Sequence, residues 1–128
     1  MRAYLPISHS DLMAFLFTES FKADVAFAPT HTYIDANSDC DEEEIEYLLS
    51  ILAGQAALEL RASQASPGLV VAIELRDEQC GQSDNDSIAV TLAITWDQVQ
   101  CALLSHDGDD ELVWFATQEI SVEIDKWK

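Results

Sequence analysis

Asp39-Cys40-Asp41-Glu42-Glu43-Glu44-Ile45-Glu46-Tyr47-Leu48-Leu49, running on to Arg61, is the stretch that decides the fold. Asp41 and Glu44 stand in the Asp-x-x-Glu relation of a capping box, and carboxylates in a first turn are favoured by the positive end of the helix dipole. Ile45, Leu48, Leu49, Leu52, Ala56 and Leu60 recur at helical spacing and make one apolar face. Tyr47, Ile51 and Leu58 make a second strip on the far side. The pattern predicts a long central helix over about residues 41–63, apolar on two sides and so sandwiched between two layers.

Downstream, Ser66-Pro67-Gly68 forbids further helix. Leu69-Val70-Val71-Ala72-Ile73-Glu74-Leu75 is β-branched and almost continuously apolar, the pattern of a central strand buried on both faces. Arg76 to Asp86 is polar, contains Gly81 and reads as a mobile loop. Ser87 to Thr95 reads as a strand with Ile88, Val90, Leu92 and Ile94 on one side. Trp96 to Val99 is a turn or one helical turn, followed by a strand over Cys101–Ser105, with a helix over Trp96–Leu104 as the alternative. Asp107-Gly108-Asp109-Asp110 is a turn, Leu112–Ala116 a last strand, and Thr117 the cap of a short final helix.

Upstream, Arg2–Ile7 reads as a first strand in which Pro6, lacking an N–H, marks an edge or the strand end. Ser8 to Ser10 offers an N-cap for an amphipathic helix through Leu12, Phe15 and Leu16 to about Ser20. Asp24–Ala28 is a brief strand, and Pro29 suits the first turn of a short helix through Ile34. Strands and helices in this mixed order give an α+β class. A single domain over 1–128 is expected, its mostly antiparallel or mixed sheet packed against the central helix and shorter helices.

The chain has 128 residues, 48% of them hydrophobic, enough for a real core. Its net charge is −18, so nucleic-acid phosphate and acidic lipid repel it, and the six Lys and Arg form no basic patch. The charge suits a cation, a basic partner or solubility alone. Cys40, Cys80 and Cys101 are odd in number and far apart in sequence, which is neither a disulfide framework nor a C-x-x-C site. The first residues lack the apolar core of a signal peptide, and no run is long enough to cross a bilayer. A cytoplasmic protein with reduced thiols is expected.

No catalytic signature is present. Calcium-loop registers starting at Asp39, Asp84 or Asp107 lack both the glycine at position 6 and the glutamate at position 12. His9, His31 and His106 form no metal-binding pair, and His106-Asp107 are adjacent residues that point apart on an extended segment. Phosphate-cradling glycine motifs and a nucleophile elbow are missing as well. No metal, cofactor or catalytic residue is assigned. Glu59 falls within the apolar face and Glu46 beside its edge; each calls for a cation partner or for a helix end open to water. Leu112-Val113-Trp114-Phe115-Ala116-Thr117-Gln118-Glu119-Ile120 sets two adjacent aromatics before a Gln-Glu pair, either a contact surface or core and sheet-edge filling.

Four short pieces carry a resemblance: Met1-Arg2-Ala3-Tyr4-Leu5-Pro6, Ala26-Phe27-Ala28, Asp41-Glu42-Glu43-Glu44-Ile45-Glu46-Tyr47 and Trp114-Phe115-Ala116-Thr117-Gln118-Glu119-Ile120. Through them the chain resembles a family of short, uncharacterised actinobacterial proteins. The resemblance implies a one-domain intracellular bacterial protein, implies no mechanism, and points to Tyr4, Tyr47, Trp114, Gln118 and Glu119 as binding residues. The expected function is that of a non-enzymatic acidic interaction or regulatory protein, meeting a protein partner with a basic surface near the start of the central helix and the C-terminal aromatics. The alternatives are a small ligand binder or enzyme using Glu46, Glu59 or Glu119 with a tyrosine, and an acidic mimic of nucleic acid.

Overall fold

In the computed structural model, which describes residues 1–128, the layer enclosed on both sides is the sheet. Nine strands and four helices follow in order: β1 (Arg2–Ile7), α1 (His9–Thr18), β2 (Ser20–Phe21), β3 (Val25–Phe27), α2 (His31–Ala36), α3 (Glu42–Leu58), β4 (Gly68–Glu74), β5 (Cys80–Ser83), β6 (Ser87–Val90), β7 (Ile94–Thr95), β8 (Val99–Ser105), β9 (Val113–Ala116) and α4 (Thr117–Glu123). Seven strands form an antiparallel sheet in the order β5-β6-β3-β1-β4-β8-β9, while β2 and β7 pair separately. The chain is therefore a single α+β domain, its sheet packed against a 17-residue helix and shorter ones.

β4 is the central strand its sequence predicts. Leu69, Val71 and Ile73 face one side and Val70 and Ala72 the other, all buried. The same alternation divides β1, with Ala3, Leu5 and Ile7 against Tyr4, and β8, with Ala102 and Leu104 against Cys101. Phe15 and Leu12 of α1, Ile120 of α4, and Ile124 and Trp127 beyond it cover the first side. Ile45, Leu49, Ala53 and Ala57 of α3 cover the second.

α3 starts as its sequence dictates: Asp41 Oδ1 accepts the Glu44 N–H at 2.9 Å and Glu44 Oε1 accepts the Asp41 N–H at 3.2 Å. The expectation of a helix to about residue 63, sandwiched between layers, is corrected. α3 ends at Leu58, where Arg61 Nε donates to the Leu58 carbonyl at 2.8 Å and closes the last turn. In the second apolar strip Tyr47 is 53% exposed and Ile51 and Leu58 are only half-buried, and Leu60 of the first face is 44% exposed. The contact stripe is rotated from the expected one: Leu48, Leu52 and Ala56 are half-buried, and the fully covered positions are spaced by four.

Other local departures have local causes. Arg76–Asp86 is not an open loop but a 3-10 turn (Asp77–Gln79) followed by β5, because Gln79 ties it down: its side-chain oxygen accepts the Arg76 N–H. The strand starting at Ser87 stops at Val90, Leu92 is 51% exposed, and Ile94–Thr95 leaves to pair with β2. Pro6 lies in an interior strand; it sits opposite Val70 of β4, while the bridge to β3 is at Tyr4 and Phe27, two residues away. The helix through Ile34 starts later than Pro29 suggests, at His31 with Thr30 as its cap. Residues 99–105 are strand, not helix. Thr117 does not cap α4: its hydroxyl donates to the Val99 carbonyl, and Glu119 Oε1 accepts the Ala116 N–H.

Candidate functional site

Where β1 begins beside the first turn of α3, the surface opens into a cleft of about 670 Å³. Four carboxylates line it, those of Asp41, Glu42, Glu46 and Glu74, with Pro29, Ile34 and Ile45 supplying apolar wall and Arg2, Cys40 and the Met1 ammonium, 3.2 Å from Glu74, the remaining chemistry. Asp41 and Glu42 are there because the acidic run caps α3; Glu46 is one turn further along the same helix. Glu74 ends β4, directly opposite Arg2 in the β1–β4 register.

Arg2 joins this cleft to the face of the sheet under α3. Arg2 and Tyr4 are two apart on a strand and so share a face. Arg2 Nε donates to the Tyr4 hydroxyl at 3.1 Å, and Arg2 Nη2 lies 3.8 Å from Cys101 Sγ. The Trp114 indole lies near that sulfur and, like Arg2, favours its ionised form. Burial pushes the Tyr4 hydroxyl above its usual range against the opposing pull of Arg2. Burial likewise pushes the Cys101 thiol up, against Arg2 and Trp114. Burial disfavours the Arg2 charge, yet the Tyr4 hydrogen bond and the neighbouring Tyr4, Cys101 and Glu46 outweigh it, so its pKa stands above the ordinary value. At neutral pH this is a cation beside a neutral phenol and a neutral thiol, an arrangement that holds position and offers neither a base nor a nucleophile.

Of the five residues singled out in the sequence, Tyr4 and Trp114 are brought together, through Cys101. Tyr47 stands on the outer side of α3 in a shallower depression with Glu43, Glu44 and Leu48. Gln118 and Glu119 are exposed on α4, which covers the opposite face of the sheet, and Glu119 serves as a cap for that helix. Glu59 is exposed at the end of α3, the water-open alternative of the two weighed for it. Arg61 instead lies 3.9 Å from Asp107. Arg2, Cys101 and Glu74 were missed; the signal for Arg2 was its i, i+2 relation to Tyr4, and nothing local pairs Cys101 with β1. No three His, Cys, Asp or Glu side chains are grouped to hold a metal ion. No helix is long and apolar enough to cross a membrane.

No curated protein and no solved structure matches the chain. A family profile does, over residues 1–107, which takes in β1 through β8 and stops before β9, so Trp114, Gln118 and Glu119 lie outside the matched stretch. On that match the chain belongs to DUF6912, a family of unknown function.

Proposed function

We propose that this protein is a non-enzymatic interaction module of the cytoplasm that binds a protein partner through a basic segment. The cleft beside α3 carries this reading. Its four carboxylates outnumber its two cations, Arg2 and the Met1 ammonium that pairs with Glu74 at 3.2 Å, and its apolar wall of Pro29, Ile34 and Ile45 matches the aliphatic stem of a lysine or arginine side chain whose charged end reaches the rim. The neutral state of Tyr4 and Cys101 supports binding over catalysis.

A second reading, a small-ligand pocket, is favoured by one observation: Glu46, Arg2 and Tyr4 are neighbours in the same region, so a small zwitterion would find both charges there. A single titration separates the two. Calorimetry with a tri-lysine peptide, at low and at physiological salt, should show binding that weakens as salt rises, and the double variant Glu42→Gln/Glu46→Gln should weaken it further. Free glycine or lysine binding as tightly as the peptide would favour the small-ligand reading. Absence of peptide binding at low salt would remove the basic-partner one.

A further inference from the structure

The two ends of the sheet are finished differently. β5 is polar, and its pairing with β6 is interrupted by a register shift between Cys80 and Ser83, which blunts that edge. β9 reads Val-Trp-Phe-Ala, runs in unbroken register from Cys101↔Ala116 to Leu104↔Val113, and has a strand on one side only. It contains none of the lysine, proline or bulge devices that discourage pairing at an edge.

Its outward backbone groups can be identified. The Ala116 N–H goes to Glu119 Oε1 at 2.8 Å, so it points away from β8. Along a strand these groups alternate in direction, so the Trp114 N–H and C=O point outward too. Trp114 is 59% exposed on the α3 face and Val113 43% exposed on the other, leaving apolar surface on both sides of the open edge. Immediately before the strand stand Asp107, Asp109, Asp110 and Glu111, all exposed. A second copy of the chain, itself at −18, is repelled from this edge, whereas a cationic strand is attracted.

We propose that β9 receives an extended, lysine- or arginine-flanked segment of a partner protein as an eighth strand of the sheet. Backbone hydrogen bonds at Trp114 hold the segment, the indole covers one of its side chains, and the Asp107–Glu111 turn faces its basic residues. The inference rests on the basic-partner reading and adds to the cleft a second place of contact, at the sheet edge, and the conformation in which the partner lies there.

The test is an amide-resolved NMR titration of the full chain with a synthetic peptide of alternating valine and threonine flanked by lysines. A glutamate-flanked counterpart and a version N-methylated at alternate amides are run beside it. The lysine peptide should shift the amides of Val113–Ala116 and the Trp114 indole. N-methylation on the pairing edge should weaken binding about tenfold, Trp114→Ala should weaken it as well, and the glutamate peptide should not bind. Shifts confined to Asp41, Glu42 and Glu46, or indifference to N-methylation, would overturn the edge assignment and leave the basic-partner reading standing. Shifts at β9 that follow protein concentration alone would show self-pairing and overturn it too. No salt-sensitive binding of the lysine peptide at millimolar concentration would sink both.

Discussion

On the α1/α4 face of the sheet the covering side chains are large: Leu12, Phe15, Ile120, Ile124 and Trp127, with Phe15 stacked at 5.6 Å on Phe21 and edge-on at 5.0 Å to Trp96. On the α3 face they are small beyond the first turns, with Ala53, Gly54 and Ala57 following the two larger contacts Ile45 and Leu49. The first face is filled by side chains, so its stability depends on volume. The second is filled by backbone brought close, so its stability depends on what is absent. The largest expected effect is therefore Phe15→Ala. It should cost about 3–5 kcal/mol in a denaturant titration, because the neighbouring rings leave a cavity that cannot collapse. Leu52→Ala on α3, where Leu52 is half-buried, should cost about 1–2 kcal/mol. Equal losses at the two sites would abolish the contrast.

The same contrast explains what was legible in the sequence. β4 and β8 carry large apolar residues in period two, and α3 carries an unambiguous cap, so these elements were readable. The orientation of α3 was not. A count of hydrophobic residues selects Leu48, Leu52 and Leu60, whereas close approach to a sheet selects Ala53, Gly54 and Ala57, which such a count scores low. The site was legible only in pieces. The acidic run and Trp114 were visible, but their link runs through Arg2 and Cys101, ninety-nine residues apart, and depends on a strand order that one sequence does not contain.

Between the faces and the β5 end lies a polar contact that belongs to neither. Gln79 and Gln98, both buried, exchange hydrogen bonds at 3.0 and 2.7 Å. Gln79 Nε2 also donates to the Ala93 carbonyl and Gln98 Nε2 to the Glu74 carbonyl, while their oxygens accept the Arg76 and Thr95 N–H groups. Every amide hydrogen is used, which is why residues 76–83 are ordered structure. Gln98→Leu keeps the volume but orphans several of these partners, and should cost about 2–4 kcal/mol. The pair Gln79→Leu/Gln98→Leu should cost clearly less than the two single losses added together, since the second change removes groups already stranded. Simple additivity would mean that the two amides do not act as a unit.

Two glycines sharpen the account of the α3 face. A Cβ on Gly68 would sit 2.9 Å from the backbone of Ala57 and Leu58, atoms that move only if helix and strand separate. Gly68→Ala should therefore cost about 1–3 kcal/mol. A Cβ on Gly54 would meet the tip of Leu112 at 2.8 Å, a flexible side chain that can turn aside. Alanine also favours helix by about 1 kcal/mol over glycine, so Gly54→Ala should fall within about 0.5 kcal/mol of neutral. Matched thermal melts of the two variants would decide this. If Gly54→Ala proved the more damaging, the closest approach would lie between α3 and Leu112 rather than at the start of β4.

The smallest effect concerns pH, and it too divides the faces. None of the fully buried residues of the α1/α4 face titrates, the Cys80 thiol packing against them only half-buried, whereas the α3 face buries Tyr4 and Cys101. Burial raises both above their ordinary values, with Arg2 opposing in each case. A group whose pKa is raised by folding has its full contribution while both states are protonated. Once pH passes the unfolded value, the unfolded chain ionises first and is favoured. Stability should therefore be flat through neutral pH and fall from roughly pH 8.5 upward, through the thiol and phenol ranges. Arg2 moderates the fall by stabilising whatever charge does form. Cys101→Ala and Tyr4→Phe should each make that alkaline limb shallower, read as the slope of unfolding free energy against pH so that any loss in packing cancels. Phe15→Ala, which perturbs only the other face, should lower the whole curve and leave its slope unchanged. A slope that Cys101→Ala and Tyr4→Phe fail to alter would place the alkaline sensitivity in the exposed groups instead, and would remove the electrostatic difference between the two sides of the sheet.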